Sequence, residues 1–139
     1  MESSQKTLHF ASVSGRKVEA DFDGGATTSD AGALLLRQAE ARIGIIDRVV
    51  MALSDRRHQS YVDHTHTDLI RQRVFQIACG YEDANDSNDL RSDPGFKAAC
   101  GRLPLSGADL ASQPTMSRLE NSVSRTDLYR IGLALLEGF

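Results

Sequence analysis

The sequence contains no Trp, and aromatic residues make up only 6% of its 139 positions. A platform of exposed rings for stacking single-stranded bases is therefore not expected, and the core must be mostly aliphatic. No apolar run approaches the roughly 20 residues needed to cross a bilayer, so no membrane partner is expected. The opening residues, MESSQKTLHF, lack the apolar stretch of a secretory signal. Cysteine occurs only as Cys79 and Cys100, both in apolar helical surroundings and without CxxC spacing. That argues against a disulfide framework and a thiolate metal site, and leaves reduced, buried thiols in a cytoplasmic protein. An excess of positive charge is also missing, since the net charge is -3. Proteins that coat nucleic acid indiscriminately draw affinity from many phosphate contacts, and this balance argues against that class.

What is present fits a small globular domain. Hydrophobic residues make up 40% and charged residues 25%, ordinary values for such a chain. At this length roughly two-thirds of the unfolded surface can be buried. All basic residues but Lys6, Lys17 and Lys97 are Arg. Arg suits planar, bidentate contacts with phosphate, carboxylate or guanine.

Taken in order, residues 1–6 read as a disordered N-terminus. Residues 7–25 read as a β-hairpin. Leu8 and Phe10 alternate in the first strand, and Val18, Ala20 and Phe22 in the second, with a turn at Ser14-Gly15-Arg16. Such a ribbon is marginal alone, so it must pack on helices or join a further sheet. Residues 26–139 read as a helical domain, giving a mainly α fold with about six or seven helices after the hairpin. Thr28 or Ser29 is the expected cap of the first helix, with Asp30 in its first turn. Ala33, Leu34, Leu36, Ala39 and Ile43 form its apolar stripe, and Gly44 ends it. A short helix follows around Ile45, Ile46, Val49, Val50 and Leu53. Residues 54–64 read as an exposed polar connection. Thr65, with Asp68 as capping-box partner, opens the next helix. Its apolar face is Leu69, Ile70, Val74, Ile77 and Ala78, with Arg71, Gln72 and Gln76 off that face. Gly80 is the expected C′ residue.

Residues 71–94 then turn acidic, with Asp83, Asp86, Asp89 and Asp93 close together. A calcium loop starting at Asp83 fails, because its sixth position is Asn88 rather than Gly and its twelfth is Pro94 rather than Glu. The remaining reading is structural: Asp83, Asp86 and Asp93 cap short helices and pair with Arg71, Arg73 and Arg91. His58, His64 and His66 carry no metal-ligand spacing and belong to the polar connection. No GxSxG turn, phosphate loop or HExxH pattern occurs, so no catalytic residue and no metal ligand is assigned. The remaining ligand signal is SQPTMSRL at residues 112–119. It resembles the start of a helix-turn-helix recognition helix, with Pro114 at the helix start and Ser112 or Thr115 as cap. Gln113, Thr115, Ser117 and Arg118 are its candidate DNA-binding residues. The preceding helix ends near Cys100, too far back for a tight turn. The last helix spans about residues 126–136, with Leu128, Ile131, Leu133, Leu135 and Leu136 apolar. Its apolar character persists close to Phe139, so a chain cut short is expected.

Three ordered blocks resemble the N-terminal part of a bacterial DDE-type transposase of the IS1380 family (transposase DDE domain, group 1). The first is Asp21-Phe22-Asp23-Gly24-Gly25 with Thr28-Ser29-Asp30-Ala31-Gly32 and Leu34-Leu35-Leu36-Arg37. The second is Arg71-Gln72-Arg73-Val74-Phe75-Gln76-Ile77, running into Gly80-Tyr81-Glu82-Asp83-Ala84-Asn85-Asp86, then Leu90, Arg91, Asp93 and Pro94. The third is Leu110-Ala111-Ser112-Gln113-Pro114-Thr115 with Ser117-Arg118-Leu119-Glu120-Asn121. The resemblance implies the front part of a larger enzyme that cuts and joins DNA at transposon ends. In that enzyme three carboxylates on an RNase H-like sheet hold Mg2+. It also implies that this chain stops before that catalytic domain, so Mg2+ is expected only for the full-length enzyme and no cofactor here. DNA is the implied partner, with a second copy or full-length transposase as a further one. The alternative is a stand-alone DNA-binding or dimerisation protein that regulates a full-length transposase.

Overall fold

The computed structural model describes residues 7–20 and 24–138. The expected tail at residues 1–6, the Asp21-Phe22-Asp23 segment and Phe139 lie outside the described residues. Strand β1 (Leu8–Val13) pairs antiparallel with β2 (Arg16–Ala20), with Phe10 opposite Val18 and an irregularity before Val13. Ser14 and Gly15 both have positive φ, 50° and 75°, the conformation of a tight hairpin turn whose twist matches the strands. Phe10 stays 56% exposed and Leu8 45%. Those apolar side chains therefore do not enter the helical core.

Among the described residues the chain then forms helices α1 (Ala33–Ile43), α2 (Ile45–Ala52), α3 (His66–Ala78), α4 (Ser87–Leu90), α5 (Pro94–Ala99), α6 (Gln113–Ser122) and α7 (Arg125–Leu136). Short 3-10 turns lie at Gln59–Tyr61 and Ala84–Asp86. This is the expected mainly helical architecture behind a hairpin. The main core gathers Ala33 of α1, Ile46 of α2, Phe75 of α3, Leu90 of α4 and Phe96 and Ala99 of α5. Fully burying a side chain of the size of Ile46 or Phe96 stabilises by about 1.5–3 kcal/mol. A smaller cluster joins Leu69 of α3 to Ala111 and to Met116 and Leu119 of α6.

Helix α3 is the element on which both clusters rest. Thr65 accepts from the Asp68 N–H at 3.1 Å, and the Asp68 carboxylate accepts from the Thr65 N–H at 3.1 Å. The expected capping box is therefore formed. At the other end Gly80 adopts φ 92°. Its N–H donates to the Ile77 carbonyl, and the Tyr81 N–H donates to the Gln76 carbonyl. That pair of bonds closes the helix and requires the left-handed conformation that Gly supplies cheaply.

Several local expectations are overturned. Gln72 and Gln76 do not lie off the apolar face: they are 1% and 0% exposed, while Ile77 is 52% exposed. Polar partners inside the fold offset the cost of burying the Gln72 amide, whereas the buried Gln76 Nε2 makes no hydrogen bond among the described residues. Gln72 exchanges two hydrogen bonds with the Ala111 backbone, and Gln76 Oε1 accepts from the Ser87 hydroxyl at 3.2 Å. Neither Thr28 nor Ser29 caps α1, whose N-cap is Gly32 without a side-chain bond. The Thr28 hydroxyl donates instead to Asp93 at 2.9 Å, and Asp30 accepts from the Tyr81 hydroxyl at 2.8 Å. Leu34 and Ile43 of the expected stripe are exposed. Helix α7 forms as expected, but Leu128, Leu133, Leu135 and Leu136 remain exposed. It rests on α2, and its start is fixed by a capping box between Ser124 and the buried Asp127.

Asp93 caps α5 by accepting from the Phe96 N–H at 2.8 Å, with Pro94 in the first turn. A Cβ on Gly95 would lie 2.5 Å from Thr28 Oγ1 and 3.1 Å from Asp93 Oδ1. The absence of a side chain there lets the segment before α1 close onto the start of α5.

Candidate nucleic-acid interface

Residues 101–111 carry the chain from α5 to α6. Their end is fixed where the Leu110 N–H donates to the Arg91 carbonyl at 2.9 Å and where Ala111 meets Gln72. Helix α6 then packs Met116 and Leu119 against Leu69 of α3. This fixes the helix rotation and turns Thr115, Arg118 and Ser122 toward residues 57–66. Between them lies a cleft of about 460 Å3, lined by Arg57, His58, Tyr61, His64, His66, Thr115 and Arg118 among others.

The cleft wall opposite α6 is held by ion pairing. Arg57 donates from Nε and Nη2 to the two oxygens of Asp55, at 2.9 and 2.8 Å, and from Nη1 to the His64 carbonyl at 2.8 Å. Those side-chain bonds hold the Asp55 carboxyl well below the usual carboxylate range and raise Arg57. His66 Nε2 sits 3.6 Å from Asp55, with the His66 side chain 10% exposed. Burial lowers the His66 pKa against the opposing pull of Asp55. His64 is lowered by burial and then by Arg102, whose Nη2 lies 3.1 Å from His64 Nδ1. Arg is a donor only, so His64 Nδ1 accepts, which assigns the imidazole proton to Nε2. His58 and Tyr61 stack at a tilt, with ring centroids 5.3 Å apart. The partly buried imidazoles of His64 and His66 thus favour the neutral form at pH 7. Arg118, exposed on α6, is the cation of the cleft least committed to other groups.

The structure divides the four residues singled out on this helix. Thr115 and Arg118 line the cleft, and Arg118 Nη2 donates to Thr115 Oγ1 at 3.3 Å. Gln113 and Ser117 instead bond each other, Nε2 to Oγ, at 2.9 Å and do not line it. Ser112 is the N-cap but makes no side-chain capping bond; its hydroxyl lies 3.3 Å from that of Thr115. The Gln113 N–H donates to Asn88 Oδ1 at 3.0 Å, so α4 supplies part of the cap. Arg57, His58, His64 and His66 were passed over in the sequence because their stretch reads as a solvated connection. The signal that pointed to them was Arg56-Arg57-His58 close ahead of His64 and His66, with Tyr61 between.

The acidic stretch makes capping bonds at Asp83 and Asp93, and the arginines take different partners from those expected. Asp83 caps its turn by accepting from the Asn85 N–H at 2.9 Å, and Asp86 makes no side-chain cap to α4. Arg73 does not pair with these aspartates. It donates from Nε to Glu120 at 2.7 Å and from Nη2 to the Glu82 carbonyl at 2.7 Å, tying α3 to α6 and to the acidic stretch. Arg91 lies 3.4 Å from Asp109, not from Asp83 or Asp86. Arg71 is half-buried on α3, where its charge lowers the Cys100 thiol against the larger effect of burial. Among the described residues no group of three His, Cys, Asp or Glu side chains is placed to hold a metal ion. No helix among them is long and apolar enough to cross a membrane.

Fold and cleft together define a small helical module with an arginine- and histidine-lined groove beside a capped helix. Comparison with protein families goes further: the model of the transposase DDE domain, group 1, matches residues 10–139. The chain belongs to that transposase family. Membership implies dealings with DNA in general. No curated protein and no solved structure matches the chain.

Proposed function

We propose that this chain is the DNA-binding or assembly part of an insertion-sequence transposase of the IS1380 type, engaging transposon ends in the cytoplasm. The observation that supports this reading is the exposed Arg118 beside Thr115 at the cleft, on a helix locked in rotation by Met116 and Leu119. A guanidinium held on a packed helix reaches phosphate or a guanine edge at little entropic cost. Gln113 and Ser117 extend the same helix surface once their mutual bond opens.

The strand chemistry of the family calls for divalent metal held by carboxylates. The acidic residues here do not fit that role. Asp83 uses both oxygens on Asn85, Asp93 Oδ1 accepts from the Phe96 N–H and Thr28, and no three such side chains among the described residues converge as a metal site. We therefore assign the metal-holding carboxylates, and Mg2+, to the full-length family enzyme rather than to residues 83–93.

The test is fluorescence anisotropy of a labelled duplex bearing a terminal inverted repeat, titrated with the full chain over a salt series. Affinity should fall as salt rises, because phosphate contacts release counterions. Binding that ignores salt, or no binding, rejects the proposal. Magnesium-dependent strand cleavage by the purified chain overturns the assignment of chemistry elsewhere.

A further inference from the structure

Next to the cleft, but outside it, two cations face a single carboxylate and a third braces the loop that carries it. Lys97 on α5 is nearly buried, its side chain only 5% exposed, and Nζ reaches Asp109 Oδ1 only at 4.0 Å. Arg91 at the end of α4 places Nε 3.4 Å from Asp109 Oδ2, and that buried Nε makes no hydrogen bond among the described residues. Arg102 donates from Nη1 to the Asp109 and Ala108 carbonyls and approaches His64 with Nη2. It thereby fixes the loop that carries Asp109 and joins this cluster to the cleft.

The usual role of cations here would be to balance the C-terminal carbonyls of α5. That role belongs to Arg37, whose Nη1 donates to the Ala98 carbonyl at 2.7 Å. It does not explain Lys97. A buried ammonium is costly unless paired and hydrogen-bonded, and Asp109 stands at the outer limit of an ion pair. Arg91 and Lys97 against one carboxylate leave one positive charge over. The Arg91 and Asp109 side chains are 41% and 44% exposed, so the cluster opens to solvent.

The geometry points to a subsite for a backbone phosphate of duplex DNA, formed by Arg91 and Lys97, with Asp109 competing for the same donors and Arg102 as a positioning residue. A phosphodiester carries the single negative charge that Arg91, Lys97 and Asp109 together lack, and its oxygens accept from the exposed end of the Arg91 guanidinium and from Lys97 Nζ. The subsite lies alongside the cleft through the Arg102–His64 contact. It would thus receive a phosphate of the strand whose neighbouring contact is Arg118. The inference rests on the proposed DNA-binding role.

Two arms test it. In the first, inorganic phosphate is titrated into the full chain and followed by amide NMR. Saturable shifts are expected at residues 91, 97 and 109, several-fold tighter in Asp109→Asn and lost in Arg91→Gln. In the second, anisotropy with duplex DNA should show Asp109→Asn binding several-fold tighter, and Arg91→Gln and Lys97→Met each lowering the salt slope by about one. Circular dichroism checks that Lys97→Met is folded, and Arg91→Gln serves if it is not. Phosphate shifts without saturation overturn the subsite. If the wild-type chain binds duplex but Arg91→Gln leaves affinity and slope unchanged, the subsite falls and the DNA reading stands. If phosphate saturates the site but the wild-type chain binds no duplex, the DNA source is overturned along with the broader role.

Discussion

Gln72 and the Ala111 backbone are joined by two hydrogen bonds of 2.9 Å each, one in each direction, in a fully buried setting. A side-chain amide here does what a neighbouring strand would do. It satisfies both backbone polar groups of a buried residue and pins the loop before α6 to the middle of α3. The placement of Arg118 and Thr115 depends on that pin.

We predict that Gln72→Ala leaves the Ala111 N–H and carbonyl unpaired, at a cost of about 1–3 kcal/mol per buried group. Urea unfolding followed by circular dichroism measures it. A change indistinguishable from zero would show that the pin is not structural.

Gly95→Ala should destabilise by about 1–3 kcal/mol, the usual cost of overpacking, because the new Cβ meets Thr28 Oγ1 and Asp93 Oδ1. Thr28→Ala should cost stability alone, by loss of the bond to Asp93. Combined with Gly95→Ala it should cost less than the sum. A strictly additive double-mutant cycle contradicts the contact.

Acid should weaken the junction between α2 and α7. The Asp127 carboxyl is held at about 2, against an ordinary 3.8, by the Ser124 N–H and then its hydroxyl, with Ser54 adding to both. A carboxyl with a lowered folded pKa stabilises fully above its unfolded value and loses that contribution as pH falls through the folded one. The contribution is therefore lost between about 3.8 and about 2. Unfolding midpoints across this window should fall more steeply for wild type than for Asp127→Asn. Parallel curves would remove Asp127 from the account.

Cys100 should resist alkylation. Burial pushes its thiol up to about 12, which leaves almost no thiolate at pH 8. The half-buried Cys79 is also raised, by burial and then by Asp30. Iodoacetamide labelling read by mass spectrometry should proceed slowly at Cys79, and at Cys100 only when the chain unfolds. Fast labelling of Cys100 under native conditions would contradict its burial.

Arg118→Ala should weaken duplex binding and, if the contact is to phosphate, reduce the salt slope by about 1 irrespective of base sequence. The helical circular dichroism signal should be unchanged, since the side chain is exposed. Unaltered DNA affinity would remove Arg118 from the interface.

The elements whose signals are local were legible in the sequence. The Thr65–Asp68 capping box, Gly80 at the end of α3, Pro94 and the hairpin turn each depend on residues a few positions apart. The glutamines of α3 were not, because periodicity reads Gln as a surface residue. Their burial is decided by Ala111 and Ser87, 39 and 11 positions away. The same limit hid the cleft: nothing local to residues 57–66 says that α6 will face them. The partners of the arginines were missed for a related reason. Arg73 spans to Glu120, 47 positions on, while Asp83 and Asp93 are engaged by N–H groups two or three residues ahead of them. The exposed leucines of α7 show the converse, an apolar pattern that fixes the helix without fixing what it meets.

The hairpin offers a practical handle. Its turn at Ser14 and Gly15 ends two strands in which Val18 is the half-buried exception to general exposure. A biotin-acceptor tag inserted between those two residues would disturb no core side chain. The protein could then be immobilised by that tip for surface-based measurements, with α6 and the cluster at Asp109 untouched by the attachment chemistry.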